Sequence, residues 1–229
     1  MSLFYCRVID ENTVVLDEEE SRHAIKVLRL GQGDTIEVTS GLGDLVKAQI
    51  SDVGKRNVIL QILSKTIVPK YSEVKRAIAI APTKSNDRTE WFLEKAIEIG
   101  IDEIFFIQTS RSERPRINME RLHKIAVTAM KQSKNLYLPN IHTLKSIKEV
   151  LEIPYANRFV AHCMGPVSHL KEHAPFIDSA LVFIGPEGDF TPEEVVTLES
   201  RNVKPVSLGP SRLRTETAGV YATAVLNLF

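Results

Sequence analysis

The chain has 229 residues, of which 43% are hydrophobic and 25% are charged. This composition is typical of a globular protein with a substantial apolar core, and the length suits one large domain or two modest ones. Basic and acidic residues both number 29, so no net charge draws the whole protein to nucleic acid, and an RNA partner would require a local basic patch.

The sequence predicts neither a membrane segment nor a metal centre. No apolar run approaches the roughly 20 residues that span a bilayer, and residues 1–10 lack the basic start and long apolar centre of a signal peptide. We therefore expect a cytoplasmic protein without a membrane partner. Cys6 and Cys163 lie far apart without paired spacing, which favours two reduced thiols over a disulfide or a zinc site. We predict no metal.

The first part of the chain predicts short strands that form a small β-barrel. The predicted strands cover residues 3–9, 13–16, 35–38, 45–53 and 57–62. Helical spacing of apolar residues predicts one helix over 18–30, which ends at Gly31. Its polar face carries Arg22, His23, Lys26 and Arg29, which we interpret either as a solvated face or as a surface that contacts RNA phosphates.

The composition changes near residue 70, after a predicted linker over 64–72. From residue 74 onward, strands and helices alternate, which indicates a parallel sheet with crossover helices. The predicted domains are therefore 1–70 and 74–229. Strands are predicted at 76–81, 101–107, 159–163, 181–184 and 205–208, and helices at 88–99, 119–133, 145–152, from 191 and at 218–228.

Two clusters of basic residues follow predicted strands in this second part. The clusters contain Lys84, Arg88, Arg111, Arg114 and Arg116. Cationic side chains beside the carboxyl end of a strand favour an anionic ligand or RNA, although a solvated loop would have the same composition. The polar segment 109–116 thus remains open to both interpretations.

Two glycine-containing loops near the end of the chain are the first place to look for a site. Residues 184–188 read IGPEG and residues 208–210 read LGP, each directly after an apolar strand. Loops at the carboxyl ends of neighbouring parallel strands form the usual ligand crevice of an α/β sheet. Neither loop has the spacing of a dinucleotide or triphosphate fingerprint. Taken singly, the glycines of either loop could simply turn the chain.

These loops, together with the segment 213–218 (LRTETA), resemble the RsmE family of ribosomal RNA methyltransferases, which belongs to the SPOUT class. Further matches lie at 23–29, 94–100 and 129–133. The resemblance implies a PUA-like RNA-binding barrel and a C-terminal α/β domain with a trefoil knot. It also implies a homodimer, which would cover the apolar last helix, and methylation of uridine N3 in 16S rRNA of the small ribosomal subunit.

The resemblance implies S-adenosyl-L-methionine (SAM) as cofactor, bound in the knotted loops. The expected cofactor-binding residues are His162, Cys163, Met164, Ile184, Gly185, Pro186, Glu187, Gly188, Ser207, Leu208, Gly209 and Leu213. We expect Arg214 to stabilise negative charge on the uracil. Glu216 is a candidate proton acceptor, although a carboxylate in the first turn of a helix is also favoured by the helix dipole.

The chain departs from the family pattern at three places. Asp189 stands where the family often has a second glycine, Ser211-Arg212 replaces a common Arg-Ile pair, and Leu3 replaces an arginine before the paired aromatic residues. Two other functions remain open from the sequence. The chain could be an rRNA-binding assembly factor without catalysis, or a SPOUT enzyme that acts on a 2′-hydroxyl or another base.

Overall fold

The computed structural model of the protein describes residues 2–113, 116–164 and 167–228. These residues form two units. The first comprises Met1–Tyr71 with Val127–Leu138, and the second comprises Ser72–Ala126 with Pro139–Phe229. None of the helices in the described residues is long and apolar enough to cross a membrane.

The first unit is a five-stranded sheet. Its strands are β1 (Leu3–Tyr5), β2 (Thr13–Leu16), β3 (Thr35–Thr39), β4 (Asp44–Val53) and β5 (Val58–Ile67), in the order β1-β3-β4-β5-β2. Only the β1–β3 pair is parallel, and alternate residues of the strands fill one core that includes Phe4, Leu16, Val38 and Leu60. The predicted linker over 64–72 was wrong in part, because β5 continues to Ile67 and pairs with β4.

The predicted single helix over 18–30 is two shorter elements. Helix α1 (Glu18–Arg22) is capped by Asp17, whose carboxylate accepts the N–H of Glu20 at 2.8 Å. A π-helical turn follows over His23–Val27, and Arg29 then adopts a left-handed conformation with φ of 56°. The chain therefore leaves the helix before Gly31, at a residue that the sequence had placed inside it.

The second unit is built on a parallel sheet, as predicted, but the sheet has six strands where the sequence predicted five. Its strands are β6 (Arg76–Ile80), β7 (Glu103–Gln108), β8 (Asn140–Ser146), β9 (Asn157–Ala161), β10 (Ala180–Ile184) and β11 (Lys204–Val206), in the order β11-β9-β10-β6-β7-β8. Its helices are α2 (Asn86–Ile99), α3 (Met119–Ser133), α4 (Ile147–Leu151), α5 (Pro192–Glu199) and α6 (Thr215–Leu226). Residues of α3 from Val127 onward belong to the first unit.

The central strands β6 and β10 are buried along their whole length, as expected for a parallel sheet covered on both faces. Helix α6 packs on both strands and on α2. The close approach of the two helices requires glycine at 219, because a Cβ there would lie 2.6 Å from ring atoms of Phe92. This packing fixes the start of α6, where Arg214 and Thr215 lie.

The chain after β11 has neighbours that suit a knotted fold. Val206 pairs with Ala161 of β9. The next residue, Ser207, donates its N–H to the carbonyl of Ser168 and accepts the N–H of Leu170, both at 2.9 Å. Residues 168–170 belong to the connection that leaves β9, so β11 and its continuation contact both a strand and its outgoing connection. The resemblance implies a trefoil knot in this domain, a topology that is rare among proteins.

Candidate active site

One cavity lies at the carboxyl ends of β9, β10 and β11, where the sequence placed the site. Its volume is about 480 Å³, within the range of roughly 300–1,000 Å³ that is usual for small-molecule sites. Three connections line it, namely those after β9, after β10 and between β11 and α6. The predicted site residues that line it are His162, Cys163, Ile184, Gly185, Pro186, Glu187, Ser207, Leu208, Gly209, Leu213 and Arg214.

Three other predicted site residues do not line the cavity. Met164 packs instead against the apolar core between the sheet and its helices. Gly188 faces Arg111, whose guanidinium Nη1 donates to the Gly188 carbonyl at 2.6 Å. Glu216 lies in the first turn of α6, and only 7% of its surface is exposed. The structure thus separates these residues from the cavity walls.

Glycine at 185 and 209 shapes the cavity for two different reasons. A Cβ at residue 185 would lie 3.1 Å from both the main-chain nitrogen and a ring carbon of Phe190, so the loop closes tightly there. Gly209 has φ of 135°, which side chains of L-residues rarely allow. The Gly185 carbonyl accepts a hydrogen bond from Thr215 Oγ1 at 3.1 Å, which joins the first loop to the start of α6.

Two carboxylates of the loop after β10 hold main-chain groups of neighbouring connections. Glu187 Oε1 accepts the N–H of Lys84 at 3.0 Å, and Asp189 Oδ2 accepts the N–H of Cys163 at 3.0 Å. Asp189 also lines the cavity, although the sequence did not single it out as a site residue. Its left-handed conformation, with φ of 62°, explains why the family can have glycine at this position.

His162 presents a hydrogen-bond donor in the cavity wall. Its Nδ1 accepts the N–H of Met164 at 3.0 Å, so the neutral ring carries its proton on Nε2. That Nε2 is buried and has no hydrogen-bond partner within the described part of the chain. A buried donor without a partner is costly unless a ligand or water satisfies it, which makes His162 a candidate ligand contact.

Arg214 and Glu216 differ sharply in their surroundings. Arg214 is exposed and lines the cavity, and its guanidinium has no hydrogen bond or ion pair to any residue in 2–113, 116–164 or 167–228. Glu216 Oε1 lies 3.7 Å from Arg88 Nε, whereas its buried Oε2 has no partner among the same residues. The cationic group is thus available to a ligand, and the carboxylate is partly engaged with Arg88.

Comparison with known proteins identifies the family. The family described as RNA methyltransferase domain matches residues 70–227. A relative named Ribosomal RNA small subunit methyltransferase E, from Rickettsia conorii, is 30% identical over 97% of this chain and 92% of its own length. The chain belongs to this family of RNA methyltransferases, the RsmE family.

Solved structures agree with that assignment. A probable rRNA-methyltransferase from Porphyromonas gingivalis is 38% identical, with a TM-score of 0.92 over 97% of this chain and 95% of its own. A methyltransferase from Legionella pneumophila, solved in complex with the bound cofactor SAM, is 26% identical with a TM-score of 0.88, over 98% of this chain and 96% of its own. The predicted SPOUT fold is confirmed.

The first unit carries the second family match. The RNA methyltransferase PUA domain matches residues 16–63, so the predicted PUA-like domain is confirmed. In the first unit, Arg22, Lys26 and Arg29 are exposed. His23 is half-buried, and its ring centroid lies 5.8 Å from that of Phe4. Three of the four basic residues of the predicted RNA surface are therefore accessible.

The basic residues predicted to bind RNA in the second unit differ in their exposure and in the contacts that they make. Lys84 and Arg116 are exposed, and Lys84 Nζ pairs with Glu113 at 2.9 Å. Arg88 is half-buried beside Glu216, and Arg111 donates to loop carbonyls. Arg114 lies outside the described residues. No group of three potential metal ligands occurs among the residues that the structure describes.

Proposed function

We propose that this protein transfers the methyl group of SAM to N3 of a uridine in 16S rRNA of the small ribosomal subunit. The observation that carries the proposal is a cavity into which three loops of an RsmE-family chain converge, with a guanidinium at its edge that makes no hydrogen bond or ion pair within the described residues. The relatives named as small-subunit rRNA methyltransferases and the SAM-bound Legionella structure support the same reaction.

The residues of the cavity suit SAM. Ile184, Leu208 and Leu213 offer apolar surface to an adenine ring, and main-chain groups of Gly185 and Gly209 can approach a nucleoside closely. The unpartnered Nε2 of His162 offers a donor to a polar group of the ligand. When bound, SAM would supply an electrophilic methyl group.

Arg214 would stabilise the uracil as its N3 loses a proton. N3 can attack a methyl group only when its lone pair is free, so negative charge must develop on the ring and spread to O2 and O4. A guanidinium that makes no hydrogen bond or ion pair within the described residues can face that charge without breaking another interaction. The cavity walls would orient the base against the donor, because alignment of the reacting atoms lowers the barrier.

Glu216 would accept the N3 proton through a water molecule. Its Oε2 is buried and lacks a partner among the described residues, so it can still accept a hydrogen bond. Because the side chain does not line the cavity, direct contact with the base is disfavoured. The neighbouring Arg88 lies beside Oε1, which leaves Oε2 as the oxygen that would accept this hydrogen bond.

The RNA would be held by the basic surfaces of each unit. Arg22, Lys26 and Arg29 can neutralise phosphates in the PUA-like unit, as can Lys84 and Arg116 in the methyltransferase unit. The target uridine would leave its stack to reach the cavity, as enzymes that act on bases require. Neutral overall charge makes these local clusters decisive for binding.

The protein would act as a homodimer. Helix α6 buries most of its surface against α2, β6 and β10, yet a stripe of small and apolar residues remains exposed. The stripe runs through Thr217, Tyr221 and Ala224, at spacings of four and three residues, and Leu228, just after the helix, is also exposed. A second copy of the chain is the simplest partner for it, and light scattering on the purified protein tests this directly.

Separate measurements of binding and methyl transfer test the proposal. Arg214→Ala should abolish methylation of small subunits that lack the modification, whereas calorimetry should show nearly unchanged affinity for SAM and S-adenosylhomocysteine. Arg201→Ala, which removes an exposed arginine paired with Glu152, is the matched control and should behave as wild type. An equal loss of binding and methylation in Arg214→Ala, or no binding of either nucleoside by wild type, would contradict the proposal.

A further inference from the structure

Asp189 occupies a backbone conformation that is unusual for a residue with a side chain. Its φ is 62°, in the left-handed region, where aspartate is tolerated better than most residues because its short carboxylate can bond to nearby main chain. Both carboxylate oxygens do so here. Oδ1 accepts the N–H of Phe190 at 2.8 Å, and Oδ2 accepts that of Cys163 at 3.0 Å.

The two hydrogen bonds serve different parts of the cavity. The bond to Phe190 is local and shapes the exit of the loop after β10. The bond to Cys163 joins that loop to the connection after β9, which contributes another cavity wall. Within the described residues, it is the only hydrogen bond that ties residues 163 and 164 to a different connection.

The far side of the same loop is fixed independently. Arg111 Nη1 donates to the carbonyls of Gly188 at 2.6 Å and Phe190 at 3.3 Å, so the residues on each side of Asp189 are held. Asp189 N–H in turn donates to the Pro186 carbonyl at 2.9 Å, which closes a turn. Asp189 therefore presents its carboxylate from a rigid support, which is the condition for a side chain to position another loop.

We infer that Asp189 is a positioning residue of the cofactor site. By accepting the N–H of Cys163, it sets the wall formed by His162 and Cys163 at the distance from the 185–189 loop that SAM requires. The inference rests on the proposed function, because SAM is the ligand proposed there. Asp189 acts through Cys163 and need not touch the reacting atoms.

Two substitutions at this position separate the hydrogen bonds from the backbone conformation. Asp189→Gly retains the left-handed backbone at no steric cost but removes both hydrogen bonds. Asp189→Asn also tolerates this conformation, and its single amide oxygen can still accept the N–H of Cys163. Asp178→Asn is the matched control, because Asp178 is an exposed acid in the β9–β10 connection that contains Cys163 and does not line the cavity.

Hydrogen exchange and calorimetry on the full-length protein test the inference. The Cys163 amide should exchange faster in Asp189→Gly than in wild type, and SAM should bind about tenfold more weakly, the factor that corresponds to one charge-assisted hydrogen bond. Asp189→Asn should recover part of both losses, and Asp178→Asn should match wild type. The melting temperature shows whether the variants remain folded.

The outcomes distinguish this inference from the proposed function. Wild-type affinity for SAM in Asp189→Gly, or unchanged exchange at the Cys163 amide, would overturn the positioning role. A loss in Asp189→Asn as large as that in Asp189→Gly would also overturn it. If wild type itself failed to bind SAM, the proposed function would fall, while the exchange rate of the Cys163 amide would still test whether Asp189 holds this wall.

Discussion

Replacement of Gly219 by alanine tests how the packing of α6 supports the active site. A Cβ at this position would lie 2.6 Å from two ring carbons of Phe92 and 2.9 Å from Cδ1 of Ile80. Both neighbours are almost fully buried, so neither can swing into solvent. Either the ring or the helix must therefore shift, and a shift of α6 would displace Arg214 and Thr215 at its start.

Two opposing effects decide the sign of the change in stability. Alanine in a helix interior is favoured over glycine by about 1 kcal/mol. Overpacking of a well-filled core costs about 1–3 kcal/mol. We therefore expect Gly219→Ala to lower the free energy of unfolding by about 1 kcal/mol, measured by urea denaturation, with a fall in methylation rate that exceeds the change in SAM affinity.

A double-mutant cycle with Phe92→Leu identifies the contact responsible. The smaller side chain makes room for the new methyl group, so the double variant should be more stable than the sum of the single changes by about 1 kcal/mol. Additivity within about 0.5 kcal/mol would refute the reasoning. So would a Gly219→Ala protein that is more stable than wild type, since helix propensity alone would then explain the result.

Three further predictions concern other parts of the second unit. Arg111→Ala should weaken SAM binding by roughly tenfold, because it removes the hydrogen bonds to two loop carbonyls. Calorimetry that showed weaker binding of RNA alone would contradict this and would favour the RNA contact expected from the sequence. Burial alone would raise the pKa of Glu103, but hydrogen bonds from Tyr155 and Lys75 outweigh it and lower that pKa. Glu103→Gln should therefore lower the free energy of unfolding at pH above about 4.3, the usual pKa of a free glutamate. The loss should shrink as the pH falls through the lowered pKa of Glu103. A difference in unfolding free energy between wild type and variant that stays constant down to pH of about 2 would contradict this prediction. SAM should slow alkylation of Cys163, which lines the cavity and is exposed, and an unchanged alkylation rate measured by mass spectrometry would argue against binding there.

The sequence predicted the parallel sheet because its central strands consist mainly of apolar residues. Strands β6, β7 and β10 read as continuous buried runs and were predicted close to their observed bounds. Strand β8 was missed, since its sequence NIHTLKS has neither an apolar run nor strict alternation. It lies at the edge of the sheet and is only half-buried, so the hydrophobic signal that marks central strands is absent.

The site was predictable to the extent that it depends on local sequence. The cavity walls could be predicted from the glycine loops and from their resemblance to a known family. The role of Asp189 could not, because it depends on a hydrogen bond to Cys163, which is 26 residues away in sequence. The pairing of Arg88 with Glu216 is likewise a contact between α2 and α6 that no local pattern reveals. Arg111 illustrates the same limit, because composition predicted a contact with RNA and the structure shows contacts with a loop.

The identity of the methylated nucleoside tests the central claim most directly. Small ribosomal subunits that lack the modification would be incubated with the protein and isotope-labelled SAM, and the 16S rRNA would then be digested to nucleosides for mass spectrometry. We predict label in 3-methyluridine alone, at one nucleotide per subunit. Label on a 2′-hydroxyl or on another base, or no label at all with active protein, would contradict the account.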